Sequence, residues 1–102
     1  MITLCIRYTL NPNKMRDFES YVDAELGPIR RSGGEVVGYF LPTDFGGPTN
    51  EALGLIDFQT LAEYERYRST LANDGEHKEN ISRLEQSGAI VAMNRSLIKR
   101  VG

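Results

Sequence analysis

Tryptophan is absent from this chain, and cysteine and histidine occur once each, as Cys5 and His77. One cysteine closes no internal disulfide, which suits a reducing compartment. One histidine and one cysteine do not assemble a zinc set of the usual kind. Nothing in the sequence supports haem ligation by His77, so neither a metal nor a cofactor is expected. Long apolar runs are also missing. None approaches the roughly 20 residues of a membrane helix. The start, "MITLCIRYTL", lacks the basic beginning and longer apolar stretch of a signal peptide. Charge of one sign is scarce too, with 12 Lys and Arg against 14 Asp and Glu and a net charge of −2. No basic stripe interleaved with aromatics appears, which argues against a nucleic-acid partner. Arg30–Arg31 and Lys99–Arg100 are pairs, too short to hold an anionic membrane. The glycine pairs at 33–34 and 46–47 lack the spacing and lysine of a phosphate-binding loop. A cytoplasmic, soluble domain without membrane or nucleic-acid partners is the expectation.

What is present has the scale of one domain, residues 1–102. A chain this short buries a thin core, so association would add useful burial. Residues 2–10 alternate, with Ile2, Leu4, Ile6, Tyr8 and Leu10 on one face and Thr3, Cys5, Arg7 and Thr9 on the other. That period of two predicts a strand with one apolar and one mixed face. Asn11 before Pro12 reads as a helix cap followed by proline at the first helical position. Met15, Phe18, Val22, Leu26 and Ile29 then follow at spacings of three and four, the apolar stripe of a helix. Gly27–Pro28 predicts a kink or restart within it.

"EVVGYFLP" (35–42) and "EALGLIDF" (51–58) read as strands apolar on both faces, separated by the turn-forming "TDFGGPTN". Thr60 and Glu63 make a capping box. Leu61, Tyr64, Tyr67 and Leu71 continue as a helical stripe, "NDGEH" breaks it, and His77, Ile81 and Leu84 share a face of a second segment. "AIVAMNRSLIKR" (89–100) is a last strand. The order β-α-β-β-α-β, with the second helix broken, predicts an α+β, ferredoxin-like subunit with a four-stranded antiparallel sheet and helices on one face. Strands apolar on both faces need cover on the second one. Two sheets facing across a twofold axis would supply it, which predicts a homodimer.

"RYTLNPNKMRDF", "GGEVVGYF", "ALGLIDFQTLAEYERYRSTLAND" and "NRSLIKR" together resemble the NIPSNAP family in order and spacing. The anchors are Tyr8-Thr9-Leu10 before Pro12, Val37-Gly38-Tyr39-Phe40 after the double glycine, and Arg66 with Arg68. None is a catalytic signature. The resemblance implies a dimeric α+β barrel, in which two ferredoxin-like subunits close one barrel. It also implies an undefined biochemical role. Gly54 and Ile56 stand where many members carry His and Trp, and His77 stands where relatives usually show a tryptophan.

Four side chains are candidates for holding a substrate: Arg7, Tyr39, His77 and Arg95. Arg7, on the mixed face, would point into the barrel. There it would fix a ligand carboxylate, join a structural ion pair, or sit at a wet mouth. Tyr39 offers a hydrogen bond from a packed ring. His77 titrates near neutrality, yet its companions Ile81 and Leu84 imply half-burial in place of a free general base. Arg95 lines the barrel or meets the partner subunit, with its face unresolved. Cys5 would need a base to act as a nucleophile and is more simply a small buried hydrophobe. The preferred reading is a homodimer that binds a small molecule in a pocket between sheet and helices. A cofactor-independent monooxygenase or isomerase, and a non-catalytic protein-interaction module, are the alternatives. Catalytic residues are not assigned.

Overall fold

A computed structural model describes residues 1–102. Strand β1 (Ile2–Leu10) leads through a short 3-10 turn (Pro12–Lys14) into helix α1 (Met15–Arg31). Strands β2 (Glu35–Phe40) and β3 (Glu51–Phe58) follow, then helices α2 (Leu61–Ala72) and α3 (Gly75–Ser87), and strand β4 (Ile90–Lys99). The sheet is antiparallel in the order β2-β3-β1-β4. This is the ferredoxin-like arrangement, the subunit fold of the dimeric α+β barrels. Overall extents of 37 × 36 × 18 Å fit two layers, a sheet with helices on one side only.

The local chemistry that builds these elements follows the sequence closely. The Asn11 side chain accepts a hydrogen bond from the Asn13 backbone N–H, with Pro12 placed where no donor is needed. Thr60 accepts from the Glu63 N–H at 3.1 Å, and the Glu63 carboxylate reaches back to the Gln59 N–H at 3.2 Å. The reciprocal half of the capping box thus lands one residue earlier than usual. Asp74, in the break after α2, accepts from the His77 N–H at 3.0 Å and so starts α3 at the position the sequence reads as a breaker. Helix α3 ends at Gly88, whose φ of 71° is left-handed.

Two expectations are corrected. Helix α1 does not restart at Gly27–Pro28 but runs on with Pro28 inside it, one turn before its end. Leu61, expected in the buried stripe of α2, is 54% exposed because it occupies the first helical position. The remaining stripe, Tyr64, Tyr67 and Leu71, does pack on the core.

The core lies between the sheet and the helices. It joins Leu4, Ile6, Tyr8 and Leu10 of β1 to Ile56 and Phe58 of β3, with Phe18 and Ile29 of α1, Tyr67 of α2 and Leu84 of α3. Register places the facing rows unambiguously. Ile6 pairs with Gly54 and Arg95, and Arg7 pairs with Leu53 and Asn94. Paired residues share a face, so Arg95 stands with Ile6 toward the helices and Arg7 stands on the open side. In β2 the pairing slips between Val36 and Gly38, leaving Val37 as the extra residue of a bulge. The bulge puts both Val36 and Tyr39 toward the helices, opposite Ile56 and Gly54.

Candidate functional site

The helices do not fill the space over the sheet. Between them and strands β1, β2 and β4 lies a cavity of about 490 Å³, within the range of small-molecule sites. Its floor comes from Leu4, Ile6 and Tyr8, its sides from Ile29, Leu71 and Ile81, and its polar groups include Glu25, Tyr39, His77 and Arg95. The walls are apolar because the strand period and the helix period both turn their greasy sides inward here. The polar groups are few and specific.

Glu25 is the most deeply placed of them, 1% exposed on the inner face of α1. A buried carboxylate is costly unless hydrogen-bonded, and this one is satisfied by three side chains. Asn80 Nδ2 donates to Oε1 at 3.1 Å, while His77 Nδ1 and, at 3.4 Å, the Tyr21 hydroxyl approach Oε2. The Asn80 carbonyl in turn accepts from Arg83 at 2.6 Å. A guanidinium only donates, so Arg83 fixes which end of the Asn80 amide is oxygen and which end donates to Glu25. An ionised carboxylate only accepts, so His77 must donate through Nδ1–H. Its other nitrogen, Nε2, has no partner within the chain, and in the neutral ring it is the one that carries the lone pair. His77 lines the cavity, with its side chain 20% exposed.

The tyrosines around this cavity are held neutral. Burial pushes the Tyr39 hydroxyl well above the usual tyrosine range, and the neighbouring Tyr8 adds to the shift. Burial raises Tyr8, Tyr21 and Tyr67 likewise, with Glu25 contributing to Tyr21. The positive charge of Arg95 works in the opposite direction on Tyr8, Tyr39 and Tyr67. Arg95 therefore projects its field across the pocket. None of the chain's four ion pairs involves Arg95. It is exposed at the open side of the cavity, a cation free to meet a ligand.

Tyr39, His77 and Arg95, all singled out from the sequence, are brought together on this one cavity. Arg7 is not. It lies exposed on the opposite face of the sheet and takes no part in the chain's ion pairs. A single ligand in the sheet–helix pocket cannot touch it, because the strand period sets Arg7 one residue out of phase with Ile6 and Tyr8. Arg95 faces the helices, which resolves its parity. Cys5 is buried between Leu55 and Ser96 on its neighbouring strands, with no base reaching it. No group of three or more His, Cys, Asp or Glu side chains could hold a metal ion.

Glu25 and its helper Asn80 were not singled out from the sequence. The signal was there in part: position 25 falls three after Val22 and four before Ile29, on the buried stripe of α1. What the sequence could not supply was the partner, since His77 lies 52 residues away.

Comparison with known proteins places the chain in a group. The NIPSNAP family pattern matches residues 3–102. Among solved structures, the chain is similar to protein Atu4242 from Agrobacterium tumefaciens, with a TM-score of 0.86 and 22% identity over 99% of this chain and 94% of that one. An uncharacterized NIPSNAP-like domain protein from Burkholderia xenovorans has a TM-score of 0.80 and 29% identity, covering 98% of this chain and 84% of that one. More distant is SnoaB, a cofactor-independent oxygenase from Streptomyces nogalater, with a TM-score of 0.67 and 14% identity over 99% and 93% of the two chains. No curated protein matches the sequence. With the pattern matched from the first strand to the C-terminus, the chain belongs to the NIPSNAP family.

Proposed function

We propose that this protein binds a small, largely apolar molecule bearing an anionic or polar oxygen in the cavity between sheet and helices. The observation that carries the reading is an unfilled apolar cavity of about 490 Å³ with the partnerless cation Arg95 at its open side. A module whose only function is its surface has no need of such a space, and side chains of ordinary size would fill it. Arg95 supplies charge complementarity, the Tyr39 hydroxyl supplies a neutral hydrogen bond, and His77 presents Nε2. Arg7 serves elsewhere, on the open face. Residues 1–102 form one domain in this reading, at work in the cytoplasm. It acts as a homodimer joined through the open face of the sheet, where Leu53 and Leu55 are partly exposed and Phe40 is 52% exposed.

The test uses 8-anilinonaphthalene-1-sulfonate, an aromatic anion whose fluorescence rises on entering an apolar site. Saturable binding at one probe per chain is expected. Ile81→Trp, which fills the cavity, should abolish it, and Arg95→Met should weaken it roughly 10-fold, the scale of one charge-assisted contact. Binding that survives Ile81→Trp unchanged would place the probe on another surface and remove the reading.

The dyad of Glu25 and His77 favours a second reading, an enzyme that needs no cofactor. SnoaB, a cofactor-independent oxygenase, shares the fold, which is compatible with that reading at the level of fold alone.

A further inference from the structure

We propose that His77 is a general base that removes a proton from carbon in ligands bound in the cavity. The proposal rests on the pocket reading above and adds the class of substrate to it. That substrate is a largely apolar carbonyl compound with an acidic C–H next to the carbonyl. The enolate oxygen formed from it would face Arg95.

Three features of the site converge on this chemistry. The first is tautomer control. Arg83 orients Asn80, Asn80 and His77 both donate to Glu25, and the ring is left with its lone pair on Nε2. The Glu25 carboxylate fixes the proton on Nδ1, and Asn80, oriented by Arg83, holds that carboxylate in place. The second is charge compensation. When Nε2 accepts a proton, the imidazolium stays against the buried Glu25 carboxylate, so the new cation is stabilised where it forms. The third is the place for the opposite charge, since Arg95 lines the same cavity and has no carboxylate partner.

The step balances without an oxidant or a reductant. The Nε2 lone pair takes the proton, the C–H electron pair becomes a C=C bond, and the carbonyl π pair moves onto oxygen beside Arg95. Return of the proton to the same carbon gives exchange with solvent, and return to a conjugated carbon gives an isomer. His77 is the catalytic residue here. Glu25, Asn80 and Arg83 are positioning residues. The charged groups that share the cavity with His77 are Glu25 from α1, Arg68 from α2, Glu85 from its own helix and Arg95 from β4. Arg68 is engaged with the Tyr64 hydroxyl at 3.1 Å. The tyrosines stay neutral through the working range and do not compete as bases.

The test uses 5-nitrobenzisoxazole, a small flat aromatic that needs only a base. Removal of its ring C–H proton forms the nitrile, breaks the N–O bond and releases 2-cyano-4-nitrophenolate, which absorbs visible light. Wild-type protein should accelerate this saturably. The rate should rise with pH and level off as His77 loses its proton, since only the neutral ring is a base. Because the chain has one histidine, NMR titration of its ring gives an independent curve, and the two inflections should coincide. His77→Gln should lower the rate roughly 100-fold or more. Ile81→Trp, which fills the cavity and keeps His77 in the chain, should abolish it, which keeps the test valid if His77→Gln fails to fold. Binding of the product phenolate is measured in parallel. Product binding with no His77-dependent elimination would overturn the base and leave the pocket standing. Neither binding nor elimination would overturn both. Elimination that persists in Ile81→Trp, or whose inflection departs from the histidine titration, would also overturn the proposal.

Discussion

Glu25 and His77 define the chemistry at the scale of single residues. One is a carboxylate sunk into a helix face, and the other is the only histidine, donated from a helix far along the chain. Their roles are separable by an isosteric change. In Glu25→Gln the amide oxygen still accepts from Asn80, which turns the new NH₂ toward His77. Nδ1 must then accept, and the proton moves to Nε2. Nitrogen-15 spectra of the single imidazole should show the neutral ring as the Nδ1–H form in wild type and the Nε2–H form in Glu25→Gln. The same tautomer in both proteins would break the relay. The buried tyrosines make a second residue-scale prediction. Their folded values lie above the unfolded value of about 10, so between these limits the unfolded chain loses protons that the native state keeps. Their contribution to stability is fully present below about pH 10 and falls as pH rises beyond it. Denaturant midpoints between pH 8 and 11 should be level at first and then drop. A midpoint that rises above pH 10 would contradict the burial of these hydroxyls.

At the scale of elements, the pocket depends on how β2 and α3 are set. A Cβ added at Gly54 would stand 2.6 Å from the Tyr39 ring, so the glycine is what lets that ring lie over β3. Gly54→Ala should cost about 1–3 kcal/mol of stability, the usual range for overpacking, read from the denaturant midpoint. It should also weaken probe binding, because the ring would be driven toward the cavity. An unaltered midpoint would mean that Tyr39 is free to move away. Helix α3 is fixed by Asp74, which caps it and meets the Arg31 guanidinium at 2.9 Å at the end of α1, with Glu76 joining at 3.1 Å. These contacts hold the Asp74 carboxyl below the usual carboxylate range, first through the His77 N–H and then through Arg31. Asp74→Ala should therefore lower the unfolding midpoint more than Arg31→Met, since only the former uncaps α3. Equal losses would argue that the ion pair, and not the cap, matters.

The same elements show how far the sequence could be read. Strand β1 was legible to the residue from its strict alternation, and β3, apolar on both faces, from the turn residues that bound it on both sides. Two helix entries were legible, Asn11 before the short turn that leads into α1 and Thr60 before α2; the break after α2 was legible too, but its cap, Asp74, was not named. The β2 bulge was not legible. A run apolar in both alternating sets carries no phase, so nothing marked Val37 as the extra residue. The unbroken course of α1 through Pro28 was missed for a different reason. Near a helix end few hydrogen bonds remain to lose, and the burial of Pro28 and Ile29 offsets the cost. Of the candidate site, Tyr39, His77 and Arg95 could be named from residue type, but their meeting around Glu25 depends on long-range packing that no local spacing encodes.

The whole molecule presents two different faces of one sheet. The covered face carries the cavity. The open face carries Arg7, with Leu53 and Asn94 beside it, and is the face proposed above for the contact with a second copy. Leu55→Asp on that open face should convert a dimer into a monomer in light scattering while leaving the cavity residues in place. A dimer that persists would place the subunit contact elsewhere. The central question is which face meets the ligand, and one titration answers it most directly. Two-dimensional ¹H–¹⁵N spectra of the labelled protein would be followed as 2-cyano-4-nitrophenolate is added. The backbone resonances of Tyr39, His77, Ile81 and Arg95 should move together along one saturable curve, with Arg7 and Leu53 moving far less. Shifts centred on Arg7 and Leu53, with His77 unmoved, would contradict a ligand site between sheet and helices.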